Sequence, residues 1–182
     1  DTSGRCTVSA DAVGRKMHTD WAARRIVRAP SGEYSKMKWA DIRWSLYAPL
    51  YDILEAPLRA GRRRSIELAD LHPGERVLLV GAGTGLDLPH LPHGLDLTAV
   101  DVSPAMIARL ERRARTLALN VDARVMDAHR LGFADASFDA VLLHLILAVI
   151  PDPVACAREA ARVLKPGGRV AVFDKWLRPE EA

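Results

Sequence analysis

The chain has 182 residues, 49% hydrophobic and 27% charged, with a net charge of +3; this is the profile of a soluble globular domain able to bury one full core. No run approaches the roughly 20 apolar residues of a membrane-spanning helix, and the most apolar stretch, 140–150, is interrupted by His144. The N-terminus lacks the basic-then-apolar layout of a secretory signal, and the only cysteines, Cys6 and Cys156, give neither metal spacing nor a disulfide framework, so a reducing cytoplasm and no bound metal are expected.

Charge is spread unevenly. Residues 1–64 carry 13 Lys/Arg against 7 Asp/Glu, and the rest carry 13 against 16. A basic N-terminal third suits an anionic partner such as a membrane surface or nucleic acid, and equally suits a merely solvated arginine-rich face. Residues 1–36, with a loop at Pro30-Ser31-Gly32, read as a poorly ordered extension. Organised sequence begins at Met37, a candidate native start. Residues 37–74 read as a helical cap or lid, with an aromatic surface from Trp39 to Tyr51 and breaks at Pro49 and Pro57. Its last helix would bury Leu58, Ile66 and Leu71 and turn Arg62-Arg63-Arg64 outward, ending before His72-Pro73-Gly74.

From residue 75 to 182 the pattern becomes that of a single α/β domain. Val77-Leu78-Leu79-Val80 has no polar face and reads as a parallel strand buried on both sides. Gly81-Ala82-Gly83-Thr84-Gly85 follows at once, and Leu86-Asp87-Leu88 is placed to begin a helix. Strand, glycine turn and helix together bring backbone N–H groups close to a ligand. Leu95 to Asp101 is a second strand ending in an acid, and Ser103-Pro104 starts a helix with serine as N-cap. Val121 to Met126 is a third strand, followed by Asp127. Phe138 to Leu143 is a fourth. Asp152-Pro153 starts a helix that runs to about Leu164, Lys165-Pro166-Gly167-Gly168 turns the chain, and Arg169 to Phe173 is a fifth strand. Strands alternating with helices predict a Rossmann-like, doubly wound parallel sheet.

Ligands of such sheets bind beyond the carboxyl ends of the strands. Asp101 stands about 20 residues beyond Gly81, the spacing at which an acid reaches ribose hydroxyls. Asp127 is placed to accept from an exocyclic amine such as that of adenine, with the Ala128 N–H donating to the ring. The glycines read G-x-G-x-G rather than the G-x-G-x-x-G of dinucleotide sites, and Asp87 follows closely. The acid argues against a pyrophosphate and for a ligand with a cationic or zwitterionic tail.

On these motifs, and on Leu131 to Asp139 and Leu164 to Arg169, the segment 46–174 resembles class I S-adenosylmethionine-dependent methyltransferases. Tyr51-Asp52 and Val149-Ile150-Pro151-Asp152-Pro153 give a weaker likeness to the bacterial phosphatidylethanolamine N-methyltransferase and quinone methyltransferase branch. The resemblance implies S-adenosyl-L-methionine as cofactor, S-adenosyl-L-homocysteine as product, and in-line transfer to a small-molecule or lipid acceptor, a phospholipid amine or a quinone among them. It implies Gly81, Ala82, Gly83, Thr84 and Gly85 around the methionine part, Asp101 at the ribose, Asp127 and Ala128 at the adenine, Val102 also among the cofactor-binding residues, and Tyr51 closing the site. It places His144 near the sulfonium, as a cleft residue and general base; the alternative is a satisfied core histidine. The family usually carries an acid two residues before the first loop glycine, where this chain has Leu79, with Asp87 a substitute from the helix start. Two further strands usually follow the fifth, so a sheet lacking its last two strands is expected. The Asn-Pro-Pro-Tyr-type motif of nucleic-acid amino-methyltransferases is replaced by Leu145-Ile146-Leu147, which argues against a nucleic-acid acceptor. The rival reading is a non-catalytic protein that binds S-adenosylmethionine or a partner. A nicotinamide-dependent oxidoreductase is disfavoured by the glycine spacing. A protein of the cytoplasm, peripheral at an anionic membrane, is the expected location.

Overall fold

In the computed structural model of the protein, residues 58–175 are described. The extension at 1–36, the aromatic segment from Trp39 to Tyr51 and the last residues from Trp176 lie outside the described residues. Within them the order is helix α1 (Arg59–Ala69), strand β1 (Arg76–Val80), a 3-10 turn (Leu88–His90), β2 (Asp96–Asp101), α2 (Pro104–Thr116), β3 (Val121–Val125), β4 (Phe138–His144), α3 (Pro153–Val163) and β5 (Leu164–Phe173).

A strand with no polar face must be covered on both sides, and β1 is. It pairs in parallel with β2 (Val80 opposite Val100) and with β4 (Val80 opposite Leu143). β3 extends the sheet beyond β2 and β5 extends it beyond β4, both in parallel, giving the order β3-β2-β1-β4-β5. Alternate residues feed two cores. Val77, Leu79, Leu97, Ala99, Ala140 and Leu142 meet Ile66 and Ala69 of α1 and Leu110 and Ala114 of α2 on one face. Leu78, Val80, Val100, Val141 and Leu143 meet Cys156, Ala160 and Val163 of α3 on the other. Helices therefore cover both faces, as the doubly wound reading requires. Order reverses between β1 and β4, which sets the ligand crevice at their carboxyl ends.

Three local details differ from the sequence expectation. No helix follows the glycines, only the three-residue 3-10 turn. Pro89 would suit a helix start, but Pro92 and then Gly94 stop a second turn from forming. The Lys165-Pro166-Gly167-Gly168 turn is absorbed into β5 as an irregularity, for Leu164 pairs Phe138 while Arg169 already pairs Ala140. Ser103 is the N-cap residue of α2, yet its hydroxyl makes no capping bond. Asp152 does cap α3, Oδ1 accepting from the Ala155 N–H at 2.9 Å, with Pro153 at the first position.

α1 also departs from expectation. Arg63 and Arg64 face solvent and share Glu67 at 3.3 and 3.2 Å. Arg62 instead joins Ile66 and Ala69 on the buried side and is only 6% exposed. An arginine goes inward only when its charge is met there.

Candidate cofactor site

The glycine loop leaves β1 and folds over the carboxyl ends of its neighbours. The Ala82 N–H donates to the Val100 carbonyl at 3.0 Å, and the Gly83 N–H to Asp101 Oδ2 at 2.9 Å. Arg113 of α2 holds the next residue, Nη1 donating to the Thr84 carbonyl at 2.7 Å and to its hydroxyl at 3.1 Å. Thr84 is thereby buried. Two glycines differ instructively. A Cβ on Gly81 (φ +66°) would lie 2.4 Å from Ile146 Cδ1, so this glycine permits close packing. Among the described residues a Cβ on Gly83 (φ +54°) would meet nothing within 4 Å. Toward those residues Gly83 thus borders open space, which suits a backbone approached by a ligand.

Asp101 ends β2 beside that space. Its second oxygen accepts from the Ser103 N–H at 2.9 Å. Burial raises its carboxyl above the ordinary value, with the Ser103 and Gly83 N–H groups acting in the opposite direction. Val102, next in sequence, is 43% exposed. One strand further out, Asp127 Oδ1 accepts from the His129 N–H at 2.9 Å and lies 2.7 Å from His129 Nδ1. Ala128 is buried. The chain thus lines up Gly83, Asp101, Val102, Asp127 and Ala128 across the ends of β1, β2 and β3. Tyr51 lies outside the described residues.

His144 is the last residue of β4, not the first beyond it. It is 4% exposed. Nδ1 lies 2.9 Å from Asp87 Oδ1, and Nε2 lies 3.0 Å from Ser65 Oγ. Phe173 of β5 stands edge-on to the ring at 6.0 Å. The ring is thus enclosed, with a side-chain partner at each nitrogen. Asp87 Oδ1 also accepts from Arg62 Nη1 at 2.9 Å. Burial would raise the Asp87 carboxyl, but the hydrogen bond from His144 and the nearby positive charge of Arg62 outweigh it and hold the carboxyl below its ordinary value. An ionised carboxylate only accepts, so His144 Nδ1 carries a proton.

Sequence reasoning missed Arg62 and Ser65 in this cluster. The signal for Arg62 was the spacing 62, 66, 69, one face of a helix. Ser65 and His144 are 79 residues apart, and no local pattern joins them. Among the described residues no group of three or more His, Cys, Asp or Glu side chains could hold a metal, and no helix is long and apolar enough to cross a membrane.

Comparison with known proteins bears on the family and the fold. Residues 78–172 match the family model described as a methyltransferase domain. The chain is 35% identical over 139 residues to a phosphatidylethanolamine N-methyltransferase of Cereibacter sphaeroides, covering 75% of this chain and 66% of that protein. It is 42% identical over 130 residues to a demethylmenaquinone methyltransferase of Corynebacterium efficiens, covering 68% and 54%. In structure it is similar to a SAM-dependent methyltransferase from Aquifex aeolicus, with a TM-score of 0.62 and 23% identity over 74% of this chain and 80% of that one; that likeness concerns the fold. The chain spans between about half and two thirds of the length of these curated relatives.

Proposed function

Because the chain belongs to the methyltransferase-domain family, we propose that it transfers a methyl group from S-adenosyl-L-methionine to a lipid or small-molecule acceptor. The observation that carries this reading is the pairing of the open Gly83 backbone with Asp101. A backbone bordering open space stands beside an acid at the end of the next strand, as an adenosine with an extended tail requires. Bound S-adenosylmethionine supplies an already activated methyl on its sulfonium.

The protein's task is then to bind and orient. Each Asp101 oxygen receives one backbone N–H and keeps a lone pair for a ribose hydroxyl. Val102, Asp127 and Ala128 form the adenine wall, Asp127 accepting from the exocyclic amine. Gly81 to Gly85 approach the methionine part, and Tyr51 closes the site from the N-terminal segment. Holding donor and acceptor in line contributes roughly 7–11 kcal/mol in intramolecular precedents, enough to dominate catalysis of an activated transfer. His144 acts in this reading by holding Asp87, and the acceptor gives up its proton to solvent.

The names of the relatives, one acting on phosphatidylethanolamine and others on demethylmenaquinone, support a phospholipid amine or a quinone as acceptor. Arg59, Arg63 and Arg64 present positive charge on α1 and suit a peripheral approach to an anionic membrane from the cytoplasm; Arg62 is withdrawn from that role by burial. Titration calorimetry with S-adenosylhomocysteine, then transfer of labelled methyl to phosphatidylethanolamine, reduced quinone and soluble amines, tests the proposal. Micromolar binding with label in one acceptor is expected. Binding without transfer to any acceptor would favour the non-catalytic reading, and no binding would overturn both. Absence of protein on anionic vesicles at low salt in flotation would remove the membrane part.

A further inference from the structure

Leu79 is fully buried among Ala99, Leu142 and Ile66, so the position that usually supplies an acid to the cofactor's amino-acid end offers only a methyl surface. The charge is found elsewhere. Asp87, 3% exposed, sits in the turn that leaves the glycine loop. Its partners come from two other elements, Arg62 on α1 and His144 at the carboxyl end of β4. β1 and β4 are adjacent, Val80 opposite Leu143, so the cluster marks the point where strand order reverses. Asp101 lies on the other side of the loop, at the end of β2. The loop leaving β1 thus lies between Asp101 at the end of β2 and the Asp87–His144 pair at the end of β4.

Resting on the cofactor reading above, we propose that Asp87 is the anchor for the α-ammonium group of the cofactor's methionine tail, replacing the acid absent at Leu79. The contacts from Arg62 and His144 both fall on Oδ1, which leaves the Oδ2 lone pairs for an ammonium. Arg62 and His144 are positioning residues. Each holds the carboxylate by a charge-assisted or ring N–H bond of 2.9 Å, and together they fix its orientation. A buried ion pair is costly to assemble and adds little net stability by itself. Its place at the point where strand order reverses suits a cationic group that completes the coordination of Asp87.

A cycle that crosses protein and ligand changes tests the assignment. Calorimetry would compare S-adenosylhomocysteine with its desamino analogue on wild type and on Asp87→Asn. Removing the amino group should cost wild type about ten- to a hundredfold in affinity, the size of one charged hydrogen bond. The same removal should cost Asp87→Asn less than about threefold. Asp87→Glu keeps the charge but moves it by one methylene, and its penalty should fall between the two. An undiminished penalty in either variant overturns the assignment, as does equal binding of the two ligands by wild type should Asp87→Asn fail to fold. Binding of neither ligand by wild type would instead overturn the cofactor reading itself.

Discussion

Gly83→Ala separates the ligand role of the glycine loop from its packing role. At φ +54° an alanine is held in the left-handed region, which costs about 1–2 kcal/mol. The new methyl meets no atom of the described residues within 4 Å, so they add no steric term. Thermal unfolding should fall by roughly 2–10 °C for a domain of this size. The methyl would, however, stand in the space assigned to the cofactor tail, and S-adenosylhomocysteine affinity should drop by at least about tenfold, or 1.4 kcal/mol. Gly81→Ala reverses the balance. It has the same backbone strain at φ +66°, but its Cβ lies 2.4 Å from Ile146 Cδ1, adding about 1–3 kcal/mol of overpacking. Differential scanning fluorimetry and calorimetry on both variants make the comparison. Gly83→Ala binding with wild-type affinity, or melting below Gly81→Ala, would refute the reasoning.

Asp101→Ala removes the acceptor of two backbone N–H groups at 2.9 Å; a stability loss of about 1–3 kcal/mol in urea unfolding, together with at least about tenfold weaker S-adenosylhomocysteine binding, is expected. Asp87 has a lowered folded pKa, so the native state binds fewer protons than the unfolded chain as pH falls through the ordinary value of 3.8. Its contribution is present above that value and is lost as pH falls through the lower folded value, so Asp87→Asn should show a shallower acid limb than wild type in pH-dependent unfolding; superimposable limbs would contradict this. Cys156 is fully buried and its thiol is pushed up to about 11, so peptide mapping after iodoacetamide at pH 8 should find it unmodified in the native protein and modified in urea. Modification at equal rates in both conditions would show that α3 is not packed as described.

The sheet was legible because its strands are unbroken apolar runs with acids or glycines at their ends. Val77 to Val80 and Phe138 to Leu143 admit few other structures. Element starts were legible where chemistry is local, as at Asp152-Pro153. What resisted reading is set by contacts across the chain. Three consecutive arginines look like one solvated face, yet Arg62 turns inward because Asp87 is there to meet it, 25 residues away. Likewise, Leu86-Asp87 resembles a helix start until Pro92 and Gly94 are weighed against it. His144 was placed at the correct strand end, but its surroundings depend on Ser65 of α1, which no spacing links to it. At Lys165 to Gly168, the Pro-Gly-Gly signal was correct for a bend and silent on the strand pairing that continues around it. Gly168 marks the reason: a Cβ there would lie 2.9 Å from the Asp139 carbonyl of the neighbouring strand.

The tethering of the loop has a kinetic and entropic consequence. With the Gly83 N–H held by Asp101 and the Thr84 carbonyl held by Arg113, the protein's own contacts fix the shape of the loop. A ligand entering such a loop forfeits little binding energy to ordering the backbone. Association should therefore be limited by encounter rather than by loop rearrangement, with single-phase binding traces whose rate rises linearly with ligand concentration. Differences in affinity among adenosine compounds should then appear chiefly in how slowly they leave.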